Sequence, residues 1–374
     1  MILPSLSRRQ FGDLAAKSLA LALAAPALAG EAAASLPLGV PDDAIQLNAN
    51  ENPYGPCPRA LAAISRAETI ASRYPEAAIE RVTATLARLH AVGREQIALG
   101  CGSTEILRAA DAAFLAPGKN VVVAEPTFEA VAGFARVFRA ETRKIPVTRD
   151  FRSDLRAMAA ACDANTGLVY LCNPNNPTGT INTGAEVAAF LHAVPKHAVV
   201  LVDEAYFHFV ETPDYASVIP WLPRFPNLLI ARTFSKVYGL AGMRLGYGVA
   251  QPDLIRALRA QLLWDNTNAA VLAAAQASLE DPDVVPRNRR LLNGTRDWLC
   301  AELHREGRRY IPSHTNFVMI SLDRDVAPII GQFRARNILV GRKFPSLPDW
   351  LRVSIGTRPQ MQAFLTALRQ IAPA

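Results

Sequence analysis

Residues 167–179 have the sequence Gly-Leu-Val-Tyr-Leu-Cys-Asn-Pro-Asn-Asn-Pro-Thr-Gly, in which an apolar run ends in a polar turn. The pattern recurs twice further along the chain. The apolar segment Ala198–Asp203 is followed by Glu-Ala-Tyr206, and Leu228–Arg232 is followed by Thr-Phe-Ser-Lys236. Nearly continuous apolar runs are typical of strands that are covered on both faces of a sheet. We therefore predict three buried strands, each with polar side chains directly after its carboxyl end.

Strand and helix patterns alternate on either side of these segments. Further strands are predicted at Gln96–Leu99, Asn120–Ala124 and Leu245–Ala250, and helices at Thr104–Leu115 and Ala185–Ala193. Alternation over this length predicts an α/β fold in which a mostly parallel sheet is covered by helices on both faces.

A second pattern follows a helix-rich stretch at residues 253–306. Its predicted elements are the strands Asn316–Ser321, Ile338–Val340 and Leu351–Ile355 and the helices Val326–Arg336 and Pro359–Ile371. These elements indicate a smaller α+β unit. The predicted organisation is therefore a signal peptide at residues 1–29, an amino-terminal arm at 30–59, a large domain at 60–265 and a small carboxyl-terminal domain at 266–374.

Composition excludes several classes of protein. The chain has 374 residues, 50% of them hydrophobic and 20% charged, which excludes a disordered, collagen-like or coiled-coil protein. Its formal net charge is +7, but no later basic run is long enough to follow a phosphate backbone, so nucleic-acid binding is not expected. The five cysteines show neither zinc-type spacing nor a disulfide framework, so neither a metal site nor a disulfide is assigned.

The amino terminus resembles an export signal. Ser7-Arg-Arg-Gln-Phe11 precedes an alanine- and leucine-rich run that ends at Ala29 and is shorter than the roughly 20 residues of a membrane span. The paired arginines resemble the twin-arginine signal, with cleavage expected after Ala29 or, as a second choice, Ala34. This interpretation predicts a periplasmic protein that meets the membrane only during export. The alternative is an amphipathic helix, uncleaved, on a cytoplasmic protein.

Three familiar motifs are incomplete or missing. Gly100-Cys-Gly-Ser-Thr-Glu105 is half of a dinucleotide-binding GxGxxG, and neither GxxxxGK[ST] nor GxSxG occurs. The half-match still places Gly102, Ser103 and Thr104 where a helix opens after a strand. Backbone N–H groups at such a position bind anions, although an ordinary helix cap has the same sequence.

The polar strand ends supply the side chains that pyridoxal phosphate requires, because ligands of open α/β sheets bind at the carboxyl ends of the strands. Lys236 offers the amine that the cofactor aldehyde needs, and Asp203 offers the carboxylate that keeps the pyridine nitrogen protonated. Asn176 and Tyr206 are donors for the ring oxygen. The phosphate requires a cation, hydroxyls and a helix start, which are Arg244, Thr233, Ser235 and residues 102–104. Phe128 is the aromatic residue expected to stack on the ring.

Each of these residues also has an ordinary explanation. A lysine after a strand is usually a solvated charge, an aspartate there usually caps a turn, and Pro-Asn-Asn-Pro-Thr-Gly can be a tight turn. Their joint occurrence, in an order that fits one ligand, favours the cofactor site.

With these residues in place, the chain resembles the fold-type I pyridoxal-phosphate aminotransferases, and within them the histidinol-phosphate aminotransferase branch. The resemblance covers residues from about 46 to the carboxyl terminus. The motifs that carry it are Asn48–Gly55, Arg73–Pro75, Gly102–Glu105, Pro126–Phe128, Pro174–Gly179, Asp203–Tyr206, Ser235–Arg244 and Leu351–Thr357.

The resemblance implies roles that spacing alone does not supply. Arg352 matches the arginine that clamps the substrate carboxylate, and Tyr54 matches a segment that borders the substrate pocket. Tyr74 matches a tyrosine that reaches the cofactor phosphate of a neighbouring subunit, which implies a homodimer with shared active sites. The implied fold is a large domain with a mixed, mostly parallel sheet and a small α+β domain built from both ends of the mature chain.

The implied reaction is ping-pong transfer of an amino group from an amino acid or amino-phosphate donor to a 2-oxo acid, with Lys236 moving the proton. Two residues depart from the family. Phe128 replaces a tyrosine, and Gly341 stands where an arginine helps to bind a substrate phosphate, with Arg342 one residue later. An aromatic or other amino acid is therefore an open alternative to histidinol phosphate. A lyase or decarboxylase of the same fold, and a non-catalytic protein that binds the cofactor, are further alternatives.

Overall fold

The core of the protein is a seven-stranded mixed sheet. The computed structural model describes residues 43–373, so the predicted signal peptide and the first part of the arm lie outside the described residues. The strands of the described part are, in chain order, β1 (Ile45–Leu47), β2 (Ile97–Gly100), β3 (Asn120–Glu125), β4 (Glu141–Pro146), β5 (Thr166–Cys172), β6 (Val199–Asp203), β7 (Leu228–Thr233), β8 (Gly246–Ala250), β9 (Tyr310–Ile311), β10 (Phe317–Ser321), β11 (Ile338–Val340) and β12 (Trp350–Ser354).

The sheet order is β2-β8-β7-β6-β5-β3-β4, with β8 antiparallel to both of its neighbours and the other pairs parallel. The mostly parallel α/β sheet expected from the sequence is therefore confirmed. Register decides where the polar strand ends lie. Cys172 pairs with Asp203, and Asp203 pairs with Ala231, so the segments that follow β5, β6 and β7 meet at one edge.

Helices cover both faces of this sheet. The helices of the described residues are α1 (Pro58–Ala67), α2 (Glu76–His90), α3 (Ser103–Phe114), α4 (Ala130–Val137), α5 (Leu155–Ala160), α6 (Gly184–Ala193), α7 (Pro252–Arg259), α8 (Ala269–Leu279), α9 (Val284–Arg305), α10 (Val326–Arg334) and α11 (Arg358–Ile371). Alternate residues of a strand enter different cores. Val121 and Val123 pack in the cluster that contains α3 and α7, whereas Val122 and Ala124 pack in the cluster that contains α6.

Two smaller sheets use the carboxyl-terminal part of the chain. β10 lies between β12 and β9 in an antiparallel sheet, and β1 from the arm pairs in parallel with β11. Helix α1 begins at Pro58, one residue before the predicted end of the arm at residue 59. The division into domains at residues 265 and 266 stays a prediction.

Strand β4 was missed by the sequence patterns. Glu141, Arg143 and Lys144 are at least partly exposed on this edge strand. Arg143 forms ion pairs with Glu141 and Asp163, and Lys144 forms one with Glu125. Charged edge strands protect a sheet from further pairing, but they lack the apolar run that identifies an inner strand.

Among the helices of residues 43–373, none combines the length and the apolar character that crossing a membrane requires.

Candidate active site

A cavity of about 400 Å³ lies at the edge where β5, β6 and β7 end. The sequence-predicted residues that line it are Ser103, Thr104, Phe128, Asn176, Asp203, Tyr206, Thr233, Ser235, Lys236, Arg244, Arg342 and Arg352. Residues from distant parts of the chain therefore meet in one place, as the strand order requires.

Asp203 is the last residue of β6, and its side chain is almost fully buried. Tyr170 Oη donates a hydrogen bond to Asp203 Oδ2 at 3.0 Å, and the backbone N–H of Ala205 donates to Oδ1 at 3.1 Å. Burial raises the pKa of Asp203 to about 6, against the lowering effects of these hydrogen bonds and of the Lys236 charge. A carboxylate in this setting is suited to accept a hydrogen bond from a protonated ring nitrogen.

Lys236 follows β7 and extends into the cavity. Its Nζ donates to the carbonyl oxygen of Ala49 at 3.4 Å and lies 5.6 Å from the centroid of the Tyr206 ring. Burial, followed by the charge of Arg352, lowers the pKa of Lys236 to about 8, while Glu51 and Asp203 act in the opposite direction. A large fraction of the amine is therefore neutral near pH 8, which is the form that attacks an aldehyde.

The amino-terminal arm completes this part of the cavity. Asn50 Nδ2 donates to Tyr206 Oη at 3.1 Å, and Ser354 Oγ donates to Asn50 Oδ1 at 3.1 Å. Asn316 Nδ2 donates to the backbone carbonyl of Asn50 at 2.9 Å. The sequence analysis placed Asn50 in a family motif but gave it no role. The signal was its position in Asn48–Gly55, a polar run that no strand or helix pattern explained.

A second group of residues forms an anion cradle at the start of α3. Gly102 has a φ of +76°, a backbone conformation that favours glycine, and the Arg244 guanidinium packs where a Cβ atom would lie. Arg244 Nη1 donates to the carbonyl of Ala241 at 2.8 Å and lies 3.5 Å from Ser235 Oγ. Thr233 Oγ1 donates to Ser235 Oγ at 2.9 Å. Two hydroxyls, a guanidinium and a helix N-terminus that converge in this way fit the phosphate of pyridoxal phosphate.

Arg352 lies on β12 on the opposite side of the cavity. Its Nη1 donates to Asn176 Oδ1 at 2.7 Å, and its Nη2 donates to the carbonyl of Asn48 at 2.8 Å. Its Nε is buried and has no hydrogen-bond partner among the described residues. Burial lowers the pKa of Arg352, but an arginine stays charged. The guanidinium therefore has neutral partners only, and it can accept an anion.

Position 341 has no room for a side chain. A Cβ atom on Gly341 would lie 2.6 Å from the backbone oxygen of Arg352 and 3.0 Å from its Cβ. The neighbouring Arg342 lies with its guanidinium 4.3 Å from the centroid of Phe344 and forms an ion pair with Glu129, at 2.5 Å between Nη2 and Oε2. Arg342 lines the cavity and pairs with Glu129 at the surface, where the two side chains are 52% and 56% exposed.

Three sequence-predicted residues do not line the cavity. Gly102 lies behind Arg244, as described above. Tyr54 is 39% exposed, and Tyr74 is 72% exposed beside Asp265 and Asn268 in a separate surface depression. The roles assigned to the two tyrosines stay predictions, since that of Tyr74 involves a second subunit.

Comparison with known proteins places the chain among characterised sequences and structures. The family model described as "Aminotransferase class I and II" matches residues 42–368. The histidinol-phosphate aminotransferase of Moorella thermoacetica is 39% identical over 337 residues, which is 89% of this chain and 86% of that protein. The one from Symbiobacterium thermophilum is 40% identical over 329 residues, which is 87% of this chain and 90% of that protein. The crystal structure of histidinol-phosphate aminotransferase from Sinorhizobium meliloti in complex with pyridoxal-5'-phosphate superposes with a TM-score of 0.83 at 27% identity, covering 88% of this chain and 90% of that one.

Proposed function

This chain belongs to the aminotransferase class I and II family, and from that membership we infer how its cavity residues divide the reaction between them. It is a pyridoxal-phosphate-dependent aminotransferase, which moves an amino group from an amino donor to a 2-oxo acid. Membership favours transfer over the lyase, decarboxylase and non-catalytic alternatives that the motifs left open.

Pyridoxal phosphate, when bound, holds the amino group and withdraws electrons from the carbon that loses its proton. The cradle of Gly102, Ser103, Arg244 and the hydroxyls of Thr233 and Ser235 would bind the phosphate. Asp203 accepts a hydrogen bond from the ring nitrogen. Lys236 Nζ, when neutral, would take the proton from the substrate carbon as the general base and would then deliver it to the cofactor carbon that carries the amino group, as the general acid.

The substrate carboxylate binds to Arg352 in this proposal. The observation that carries it is the buried guanidinium, which has only neutral partners and one unsatisfied Nε–H among the described residues. A carboxylate placed there gains charge-assisted hydrogen bonds and removes the cost of an unpaired buried donor. We propose an α-amino acid as donor for this reason.

The donor side chain is uncharged, and an aromatic ring fits best. Phe344 lines the cavity, and its ring centroid lies 5.3 Å from the Arg352 guanidinium. A substrate phosphate carries more charge than a carboxylate, yet Gly341 offers no side chain and Arg342 is paired with Glu129. Although the relatives above are called histidinol-phosphate aminotransferases, these two features favour a carboxylate over a phosphate ester in this chain.

A donor panel tests the proposal. Purified mature protein is supplied with 2-oxoglutarate and, in turn, phenylalanine, tyrosine, histidinol phosphate or leucine, and glutamate formation is measured. We expect kcat/KM for the aromatic amino acids to exceed that for histidinol phosphate at least about tenfold, which corresponds to about 1.4 kcal/mol of transition-state binding. The reverse order would contradict the substrate proposal. Lys236→Ala is the control for the chemistry, because it is expected to abolish turnover, and transfer at the wild-type rate would contradict the role of Lys236.

We also propose a homodimer in which each subunit completes the other's site. Trp264 is 94% exposed and Leu263 is 69% exposed, close in sequence to Asp265, which lies beside Tyr74. Such large apolar side chains on one exposed segment are typical of an interface. Mixing Lys236→Ala subunits with Tyr74→Ala subunits tests the sharing. Mixed dimers are expected to have one fully intact site, so activity should exceed that of either parent, and no gain would contradict the proposal.

Export through the twin-arginine pathway is a proposal that rests on residues 1–29, outside the described part of the chain. Replacing Arg8 and Arg9 by lysine keeps the charge and changes only the paired arginines. We expect the variant to stay in the cytoplasmic fraction, whereas wild type is recovered from the periplasm. Equal distribution of the two proteins would contradict the assignment.

A further inference from the structure

Tyr170 is a buried polar residue that the reaction scheme above does not use. It lies on β5, two residues before the strand ends, and its side chain has no exposed surface. Its Oη donates to Asp203 Oδ2 at 3.0 Å. A phenylalanine would fill the same space in the apolar cluster between the sheet and α3, so packing alone does not require the hydroxyl.

This hydrogen bond joins the Asp203 carboxylate to the neighbouring strand, β5. Cys172 pairs with Asp203 and Tyr170 pairs with Leu201, and the alternation of side chains brings Tyr170 and Asp203 to the same face of the sheet. The backbone N–H of Ala205 donates to the other oxygen of Asp203 at 3.1 Å. Both carboxylate oxygens are therefore held from inside the protein, which fixes the direction in which the remaining lone pairs point.

The proton on this hydrogen bond stays on the phenol. Burial holds the pKa of Tyr170 well above its ordinary value, so the hydroxyl is a donor throughout the working range of an enzyme. A donor to a carboxylate stabilises the charged form relative to the acid. Of the other charges near Asp203, Lys236 lowers its pKa, whereas Glu204 raises it.

We propose that Tyr170 is a positioning residue whose hydroxyl holds Asp203 ionised and aimed, so that the proton shared between Asp203 and the cofactor stays on the ring nitrogen. This inference rests on the proposed role of Asp203. The carboxylate and the ring nitrogen compete for one proton. Weakening the hydrogen bond from Tyr170 makes the carboxylate the stronger base, and the proton then moves towards oxygen and the ring loses its positive charge.

Tyr170→Phe removes the hydroxyl and little else. The holoenzyme is prepared with pyridoxal phosphate labelled with ¹⁵N in the ring, because the nitrogen chemical shift reports directly whether the ring carries the proton. We expect the signal to move towards that of an unprotonated ring. We also expect kcat to fall about tenfold while KM changes less than about twofold, since the lost contact does not touch the substrate.

Tyr247→Phe is the matched control. Tyr247 is also a buried tyrosine of the central sheet, but it does not line the cavity, and its hydroxyl contacts His90 Nε2 at 2.9 Å and the Arg232 side chain rather than Asp203. Its removal leaves the ion pair between Arg232 and Glu204 in place. This variant should keep the wild-type nitrogen signal and kcat. A second measurement replaces Tyr170 by 3-fluorotyrosine, whose phenol is a stronger donor. The nitrogen signal should then stay at, or move further towards, the fully protonated position.

The outcomes separate this inference from the proposed function. A wild-type nitrogen signal and kcat in Tyr170→Phe would overturn it, as would equal changes in Tyr170→Phe and Tyr247→Phe. If Tyr170→Phe fails to fold, a displacement of the fluorotyrosine signal towards the unprotonated ring overturns it instead. Asp203→Asn tests the premise. If Asp203→Asn keeps the wild-type nitrogen signal, the proposed role of Asp203 itself is wrong. If Asp203→Asn loses the signal of the protonated ring while Tyr170→Phe keeps it, only the proposed role of Tyr170 is contradicted.

Discussion

The buried ion pair between Arg232 and Glu204 supports a quantitative prediction about stability. The side chains are 5% and 1% exposed, and Arg232 donates to Glu204 Oε2 through Nε at 3.0 Å and Nη2 at 2.6 Å. The guanidinium also lies 3.6 Å from the centroid of the Phe207 ring. Glu204 directly follows Asp203, and Arg232 directly precedes Thr233, so this pair joins the two strand ends below the cavity.

Arg232→Met keeps an unbranched apolar stem and removes the guanidinium with its charge. Glu204 would retain a hydrogen bond from Ser217 Oγ at 2.9 Å and one from the backbone N–H of Val218 at 2.8 Å, but no cation. Two hydrogen bonds to a charged acceptor contribute about 1.5–3 kcal/mol each, and an uncompensated buried charge costs about 3–5 kcal/mol. We expect the free energy of unfolding to fall by about 3–5 kcal/mol.

Urea unfolding of the holoenzyme, at fixed protein and cofactor concentrations, measures this loss. Arg256→Met is the matched control, because Arg256 pairs with Asp253 on the surface, where the side chains are 71% and 85% exposed. Such a pair contributes at most about 1 kcal/mol. Arg232→Met combined with Glu204→Gln should recover part of the loss, because the double variant leaves no charge behind. A cost for Arg232→Met no larger than that for Arg256→Met would refute the reasoning.

Three further predictions concern the cavity. Attachment of pyridoxal phosphate to the apoenzyme requires neutral Lys236, whose pKa is lowered to about 8 by burial. The rate, followed by absorbance, should therefore rise with pH with a midpoint near 8. A midpoint near the ordinary lysine value of about 10.4 would contradict the effect of burial. Arg352→Lys should lower kcat/KM for amino acids about 10- to 100-fold, mainly by raising KM, because a point charge replaces the planar guanidinium that binds a carboxylate through two hydrogen bonds. Unchanged kinetics would contradict the role of Arg352 in substrate binding. Gly341→Ala should destabilise the protein by about 1–3 kcal/mol, because the added Cβ clashes with the Arg352 backbone. Gly133→Ala is the control, since a Cβ there meets nothing within 4 Å and no loss of stability is expected. Equal melting temperatures for the two variants would contradict the clash at position 341.

Sequence patterns located the cavity because its residues follow recognisable strand ends. Asn176, Asp203 and Lys236 lie directly after apolar runs, or within a few residues of them, and parallel strands bring their carboxyl ends together. Contacts between distant parts of the chain left no such pattern. Asn50 reaches Tyr206 across 156 positions, and the pairing of Arg342 with Glu129 joins residues 213 positions apart. No periodicity in one sequence encodes these distances.

Tyr170 shows a different limit of sequence patterns. In Gly-Leu-Val-Tyr-Leu-Cys it counts as one more apolar residue of a buried strand, and its burial is as expected. Its hydroxyl acquires meaning only from the register of β5 against β6, which places it beside Asp203.

The strand ends also separate the two adjacent carboxylates by function. Since side chains alternate along a strand, Asp203 points to the face that carries Tyr170, and Glu204 points to the opposite face, where Arg232 lies. Among the described residues, no cation is directly bonded to Asp203, which is left to interact with the cofactor, whereas Glu204 is neutralised by Arg232. If the full charge of Glu204 were uncompensated, it would raise the pKa of Asp203 further and draw the shared proton away from the cofactor. The loss of activity in Arg232→Met should therefore exceed what its loss of stability explains, and the ¹⁵N signal of the cofactor ring should move in the same direction as in Tyr170→Phe.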